Sequence, residues 1–214
     1  MHVPDGFLAP TTWIPAYAVS AGLWTLGARK AHQALDVRAL PQIGVLTAVA
    51  FVLNAVAIPI PGGTTVHFTG VALIAIVFGA WPAFLAMSLV LVLQATLLGA
   101  GGVTALPVSA LALGLCGAFG AVTVHRALRS WKPRVAVFVA AWISVVLPAL
   151  ILALVLGLQA LYAVGDDGRP LFFPFGIDVT LPAIVGPHLL VGIGEGVLTV
   201  FMVDAVRHLQ GQTS

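Results

Sequence analysis

Long apolar stretches separated by short polar loops dominate the chain, and they predict a bundle of membrane helices. A helix needs about 20 apolar residues to cross a bilayer, and several stretches approach that length. Between Ala39 and His125 the sequence contains no Asp, Glu, Lys or Arg, which leaves room for several crossings. The pattern predicts helices over Thr12–Ala28, Leu40–Ile60, Phe68–Ala80, Pro82–Leu98, Leu106–Leu128, Val135–Leu161 and Leu181–Val206.

The stretch Phe68–Leu98 has two interpretations, a single long helix or a tight pair broken between Gly79 and Pro82. The distribution of charge decides between them, because cytoplasmic loops are enriched in Lys and Arg. With a pair, all basic residues except Arg169 share one side, whereas a single helix would divide them. We therefore predict seven transmembrane helices, with the N-terminus outside and the C-terminus inside. The basic residues on the predicted inner side are Arg29, Lys30, Arg38, Arg126, Arg129, Lys132, Arg134 and Arg207.

Composition supports the same class of protein. Hydrophobic residues make up 60% of the 214 residues and charged residues only 7%, whereas soluble domains carry about 25% charged residues. We expect one all-α integral membrane domain over residues 1–214, located in the inner (plasma) membrane of a prokaryote. No nucleic-acid partner is expected.

The first two residues carry the most specific candidate chemistry. The α-amine of Met1 and the backbone nitrogen of His2 can close a five-membered chelate ring, and the His2 imidazole closes a six-membered ring on the same ion. Three nitrogens then occupy three corners of a square, and a fourth donor completes it. A planar all-nitrogen set suits Ni(II) or Cu(II), and Co(II) is also compatible with it. We expect Met1 to be retained, because the next residue, His2, is large.

His67 is the candidate for the fourth donor. It follows the loop residues Gly62, Gly63, Thr64 and Thr65 at the predicted outer end of the third helix. Under the predicted topology it can meet the N-terminus on the outer face without crossing the membrane. Polar residues at membrane helices are functional candidates by default, which strengthens the case for His67.

Further polar residues are candidates for supporting this site or for coupling it to partners. Asn54 and Gln94 lie in predicted helices and can either hydrogen-bond an outer loop or bridge two helices. His188 and Glu195 are seven residues apart on one face of the last helix, so His188 is a candidate partner for the buried Glu195. Thr65 belongs to the loop that precedes His67.

Several motifs occur in order along nearly the whole chain. They are the opening MHVPDGFL, the segment GGTTVHFTG that ends at Gly70, Gln94 followed by GGVT, and the segment from His188 through GEG at residues 194–196. Together they resemble the substrate-capture subunit, or S component, of nickel/cobalt energy-coupling-factor (ECF) transporters. The opening motif is highly specific, because its chemistry uses the terminal amine itself.

The resemblance implies both a ligand set and a function. Residues 1–11 would form a metal-binding segment inserted into the outer half of the bundle, and the ion would be held by the Met1 amine, the His2 backbone nitrogen, the His2 ring and the His67 ring. The chain would capture Ni²⁺ or Co²⁺ at the outer face for ATP-driven import. Its partners would be a transmembrane coupling subunit, a pair of cytoplasmic ATPases and a small accessory membrane subunit.

The chain itself is not expected to be an enzyme. It has no Gly-x4-Gly-Lys-Ser/Thr phosphate-binding loop, so ATP hydrolysis would belong to the partners. No permanent cofactor is expected, and the metal ion is the transported substrate. The Pro-Asp-Gly and Gly-Gly-Thr-Thr motifs resemble those of nickel members of the family slightly more than those of cobalt members, so nickel is favoured over cobalt. Many relatives carry His and Asn where this chain has Ala100 and Ser109, a departure that bears on metal preference.

Two other classes of function are alternatives to metal capture. An intramembrane enzyme could use His188 and Glu195, but it would need more convergent polar groups, such as a zinc triad. An autonomous channel would need a polar route through the membrane, and the inner halves of the predicted helices offer almost none.

Overall fold

The computed structural model describes residues 3–60 and 64–212. Within those ranges the chain is mainly helical, with one short β-hairpin after the second helix. The strands β1 (Ile58–Ile60) and β2 (Thr64–Val66) pair antiparallel, with Ile58 opposite Val66. The helices are α1 (Pro10–Ala34), α2 (Leu40–Ala55), α3 (Val71–Phe78), α4 (Ala80–Leu98), α5 (Leu106–Leu128), α6 (Pro133–Tyr162) and α7 (Ile177–Gln212).

Helices of membrane-crossing length and apolarity confirm the predicted class of protein. Five stretches qualify, namely α4, α5, α6, the segment Val37–Ala55 that contains α2, and Ile177–His208 within α7. Among the described residues the helices α1 and α3 do not qualify, so the count of seven spans stays a prediction. The 8 residues of α3 extend only about 12 Å, less than half the thickness of the hydrocarbon core.

Several predicted helix boundaries are wrong. The first helix continues to Ala34, and the last runs from Ile177 to Gln212. Local backbone chemistry explains the changes in the second and third helices. The helix α2 ends at Ala55 instead of reaching Ile60, because Pro59 has no N–H to donate and disfavours helix at the residue before it. The third helix occupies Val71–Phe78 and not Phe68–Ala80. It is bracketed by Gly70 with φ +67° and Gly79 with φ +95°, values that favour glycine. The predicted break at Gly79 is present.

The two ends of the bundle have different contacts. At one end, which we call the N-terminal end, residues 3–9 lie against the loop between α4 and α5 and against the last turns of α6. At the opposite end, Arg134 and Asp204 form a surface ion pair at 3.2 Å between α6 and α7. The core lies between these ends and includes Phe84, which is fully buried.

Small residues allow the two longest helices to approach closely. A Cβ added at Gly192 would lie 2.8 Å from Cδ1 of Trp142, and one added at Gly196 would lie 2.7 Å from Cδ2 of Phe138. Both aromatic rings belong to α6, so this glycine stripe of α7 is used inside the bundle. Close packing at small residues is a common way to join membrane helices, where the hydrophobic effect adds little.

Candidate metal site

The segment before α3 has no regular secondary structure after Val66 and is largely buried. Val66, His67, Thr69 and Gly70 are all buried, and the segment lies outside the five candidate spans. Gly70 leaves room for α2, because a Cβ there would approach the Cβ of Ala50 to 3.1 Å. A buried stretch without regular structure needs partners for its backbone N–H groups, and α7 supplies them.

Glu195 on α7 clamps this segment. Its carboxyl oxygens accept hydrogen bonds from the backbone N–H of Thr69 at 2.9 Å, the hydroxyl of Thr69 at 2.9 Å and the backbone N–H of Gly70 at 2.7 Å. Glu195 is 1% exposed, so these bonds have no competition from water. The acid also sits at the N-terminus of α3, where negative charge is favoured.

His67 lies two residues before that clamp and is 6% exposed. Its Nε2 atom is 3.3 Å from the hydroxyl oxygen of Thr65. Burial lowers the pKa of His67 to about 4, and a positive charge on His188 would lower it further, whereas the backbone carbonyls of Asn54 and Val56 raise it. The imidazole is therefore neutral at physiological pH, which is the form that binds metal ions.

His188 does not pair with Glu195, so that prediction is wrong. Seven residues of helix place them about 10 Å apart along the axis, and Glu195 is occupied by Thr69 and Gly70. Instead, Nδ1 of His188 lies 2.6 Å from the backbone carbonyl oxygen of Ile184. His188 is 2% exposed, and it lies close enough to His67 for a charge on its ring to affect that residue.

Two amide side chains are buried with unused hydrogen-bonding atoms. In the described part of the chain, Nδ2 of Asn54 and both amide atoms of Gln94 have no hydrogen-bond partner. Gln94 is the first residue of a π-helical turn at the end of α4. Such turns are frequent at functional sites. The backbone carbonyl of Asn54 faces the His67 ring, whereas no described hydrogen bond joins Gln94 to His67.

The N-terminal segment is held against the loop between α4 and α5. Asp5 accepts hydrogen bonds from the backbone N–H of Thr104 at 2.8 Å, the hydroxyl of Thr104 at 2.6 Å and the backbone N–H of Val103 at 3.2 Å. The Thr104 bonds are the main cause that lowers the pKa of Asp5. The N–H of Gly102 donates to the carbonyl of Val3 at 2.8 Å, and a Cβ at Gly102 would collide with the backbone of Asp5.

Gln159 of α6 holds the same segment from the other side. Its Oε1 accepts from the backbone N–H of Ala9 at 2.6 Å, and its Nε2 donates to the carbonyl of Phe7 at 3.0 Å. Leu8 is 2% exposed and belongs to the core. Phe7 is more exposed and contacts the ring of Phe173 at a centroid distance of 5.5 Å.

The predicted site residues thus fall into three groups. Thr65, His67, Asn54, His188 and Glu195 surround or support one buried segment. The side chain of Gln94 makes no hydrogen bond to any of them in the described part of the chain. Met1 and His2 lie outside the described residues, as do Pro61, Gly62 and Gly63. Among the described residues no group of three His, Cys, Asp or Glu is arranged to hold a metal ion by itself.

Sequence reasoning missed two residues that hold the N-terminal segment. Gln159 is a single amide near the end of a long apolar helix, and such an isolated polar residue is a signal that could have found it. Asp5 precedes Gly6, which has φ +85°, and an Asp-Gly pair indicates a turn but no distant contact. Its hydrogen bonds to Thr104 depend on a residue 99 positions away and leave no local signal.

Comparison with known proteins identifies the family. The family model described as the cobalt uptake substrate-specific transmembrane region, CbiM, matches residues 2–213. The fused nickel transport protein NikMN of Rhodobacter capsulatus is 32% identical over 210 residues, which cover 95% of this chain and 60% of that protein. The cobalt transport protein CbiM of Desulforamulus reducens is 33% identical over 215 residues, which cover 97% of this chain and 82% of that protein.

The fold is also similar to a solved structure. The crystal structure of a truncated transition metal transporter superposes with a TM-score of 0.92 at 33% identity, covering 97% of this chain and 99% of the other. The chain therefore belongs to the CbiM family of cobalt uptake substrate-specific membrane proteins. It is a multi-pass protein of the prokaryotic plasma membrane, and the relatives named above are metal transport proteins and not enzymes.

Proposed function

We propose that this chain is the substrate-specific subunit that captures Ni²⁺ or Co²⁺, with nickel favoured, for ATP-driven import by an ECF-type transporter. The proposed ligands are the Met1 amine, the His2 backbone nitrogen, the His2 ring and the His67 ring. The observation that carries the proposal is the buried imidazole of His67 on a segment that Glu195 clamps to α7.

The placement of residues 3–9 supports the remaining ligands. Val3 is buried, and its carbonyl is hydrogen-bonded to Gly102. Consecutive Cα atoms are about 3.8 Å apart, so the atoms of residues 1 and 2 can reach only about 8 Å beyond Val3. This reach supports a metal-binding segment over residues 1–11 that is inserted into the outer half of one membrane domain, residues 1–214.

The proposed topology has seven passes, with the N-terminus outside and the C-terminus inside. In it, residues 68–78, which include α3, count as the third pass, with His67 at its outer end. The charge distribution supports this orientation, because the salt-bridged Arg134 lies at the end opposite Asp5 and positive residues favour the cytoplasmic side.

Import would require partners. We propose a transmembrane coupling subunit, two cytoplasmic ATPases and a small accessory membrane subunit, because the sequence contains no phosphate-binding loop. The alternative of an intramembrane enzyme using His188 and Glu195 is not favoured. Both carboxyl oxygens of Glu195 are engaged by Thr69 and Gly70, so neither is free to exchange a proton with a substrate.

The decisive experiment is calorimetric titration of Ni(II) and Co(II) into purified protein with an unmodified Met1. We expect one ion per chain, and we expect binding to disappear when two residues are added before Met1. The matched control carries the same two residues after Ser214 and should bind normally. Undiminished binding by the N-terminally extended protein would refute the proposed ligand set.

The His67 ligand is tested separately. His67→Ala removes one nitrogen donor and should lower metal affinity by at least about 100-fold, since the site then lacks one corner of its square. His125→Ala is the matched control, because it removes a partly buried imidazole from α5. Equal affinity of the His67→Ala and His125→Ala proteins would contradict the proposal.

A further inference from the structure

One ring nitrogen of His188 has no hydrogen-bond partner among the described residues. A carbonyl oxygen can only accept, so the 2.6 Å contact with the Ile184 carbonyl requires Nδ1 to carry the hydrogen. In a neutral imidazole the lone pair then resides on Nε2. That atom is buried, and it has no hydrogen-bond partner in the described part of the chain.

This arrangement is typical of metal-binding histidines. A ligating imidazole generally donates its other N–H to a carbonyl or a carboxylate, which fixes the tautomer and the direction of the ring. The Ile184 carbonyl fulfils that role for His188. A buried acceptor without a partner costs free energy, so a metal ion bound at Nε2 would relieve that cost.

His188 also faces the segment that carries His67. His188 and Glu195 share one face of α7, because seven residues make about two turns. On that face Glu195 bonds Thr69, and a Cβ at Gly194 would lie 3.0 Å from Cε1 of Phe68. His188 and His67 also lie close enough for a charge on one ring to be felt at the other.

We propose that Nε2 of His188 is an additional donor to the captured ion and that it serves ions which take more than four ligands. This inference rests on the proposed metal-capture function. Four nitrogens in a plane complete the coordination of square-planar Ni(II). Co(II) takes a fifth or sixth ligand, so His188 would determine how well cobalt competes with nickel at this site.

The variant that isolates this donor is His188→Asn. The Asn amide nitrogen lies near the former position of Nδ1 and can still donate to the Ile184 carbonyl, whereas no atom replaces Nε2. We expect Co(II) affinity to fall by at least about tenfold and Ni(II) affinity to change by less than about threefold, since losing contacts around a metal costs about 10–100-fold. His125→Asn is the control and should change neither affinity.

A second measurement needs no variant. X-ray absorption spectroscopy of the wild-type protein counts imidazole ligands, and we expect three with Co(II) and two with Ni(II). Two imidazoles with both ions would overturn the role of His188 while leaving the proposed function intact. A His188→Asn protein that loses both metals equally and melts at lower temperature would likewise overturn it in favour of a structural role. Wild-type protein that binds neither ion would defeat the proposed function as well.

Discussion

The two segments that lead to the proposed ligands are held in opposite ways. The segment around His67 is clamped by Glu195, which is 1% exposed, through three hydrogen bonds shielded from water. The N-terminal segment is held by Asp5, which is exposed to solvent, and by the buried amide of Gln159. We call the hydrogen bonds of these two residues to their partners the latch. The clamp is part of the core, whereas much of the latch lies at the surface.

This difference indicates which segment can move. Exposed hydrogen bonds contribute little net free energy, because water replaces the lost partner. Breaking the clamp would instead strand two buried N–H groups. Opening of the site should therefore begin with the N-terminal segment, while His67 stays in place on its clamped segment.

The largest expected effect comes from removing the clamp with Glu195→Ala. The N–H groups of Thr69 and Gly70 would be left buried without acceptors, which should cost ~3 kcal/mol or more of stability. Thermal unfolding in detergent measures this loss. Glu195→Gln keeps one acceptor, so its melting temperature should lie between those of the wild type and Glu195→Ala. A melting temperature of Glu195→Ala equal to that of the wild type would show that the segment does not depend on the clamp.

The buried part of the latch should give the next largest effect. Gln159→Ala removes the acceptor for Ala9 and the donor for Phe7, and we expect a loss of ~2 kcal/mol. The matched control is Gln33→Ala, which shortens an exposed amide in α1 and should leave stability unchanged. The same thermal unfolding assay compares the pair, and equal melting temperatures would contradict the role assigned to Gln159.

Gly102→Ala tests whether the latch depends on close approach of two backbones. The new Cβ would collide with the backbone of Asp5 and should push the N-terminal segment away, at a cost of ~1 kcal/mol. Dissociation of Ni(II), followed by stopped-flow with a chelator, should become several-fold faster. Gly22→Ala meets nothing within 4 Å and is the control. Dissociation rates that match between the two variants would argue against the latch.

The smallest effect is expected at the exposed carboxylate. Asp5→Asn weakens three exposed hydrogen bonds and should change stability by about 1 kcal/mol or less. Because the bonds to Thr104 lower the pKa of Asp5 below its ordinary value of 3.8, their contribution is complete above that pH and is lost as pH falls below it. The difference in melting temperature between Asp5→Asn and wild type should therefore vanish in strong acid. A difference independent of pH would exclude the carboxylate as its cause.

Several elements of the fold could be predicted because their signals are local. Apolar stretches indicated the helices, and the charge argument indicated the break at Gly79, which the structure contains. The end of α2 was misplaced, although Pro59 carried the relevant signal. The start of α3 could not be predicted from hydrophobicity, because Phe68 continues the apolar pattern of the helix although its backbone has no regular secondary structure.

The sequence by itself determined the class of protein and the break at Gly79, since composition and the apolar pattern are properties of the chain alone. Only the tertiary structure decided how the buried polar residues pair. Glu195 meets Thr69 across 126 positions of sequence, and Gln159 meets Ala9 across 150. A buried polar side chain binds whichever partner the packing of distant helices brings to it. For that reason Glu195 clamps the segment that carries His67, and Nε2 of His188 has no hydrogen-bond partner among the described residues.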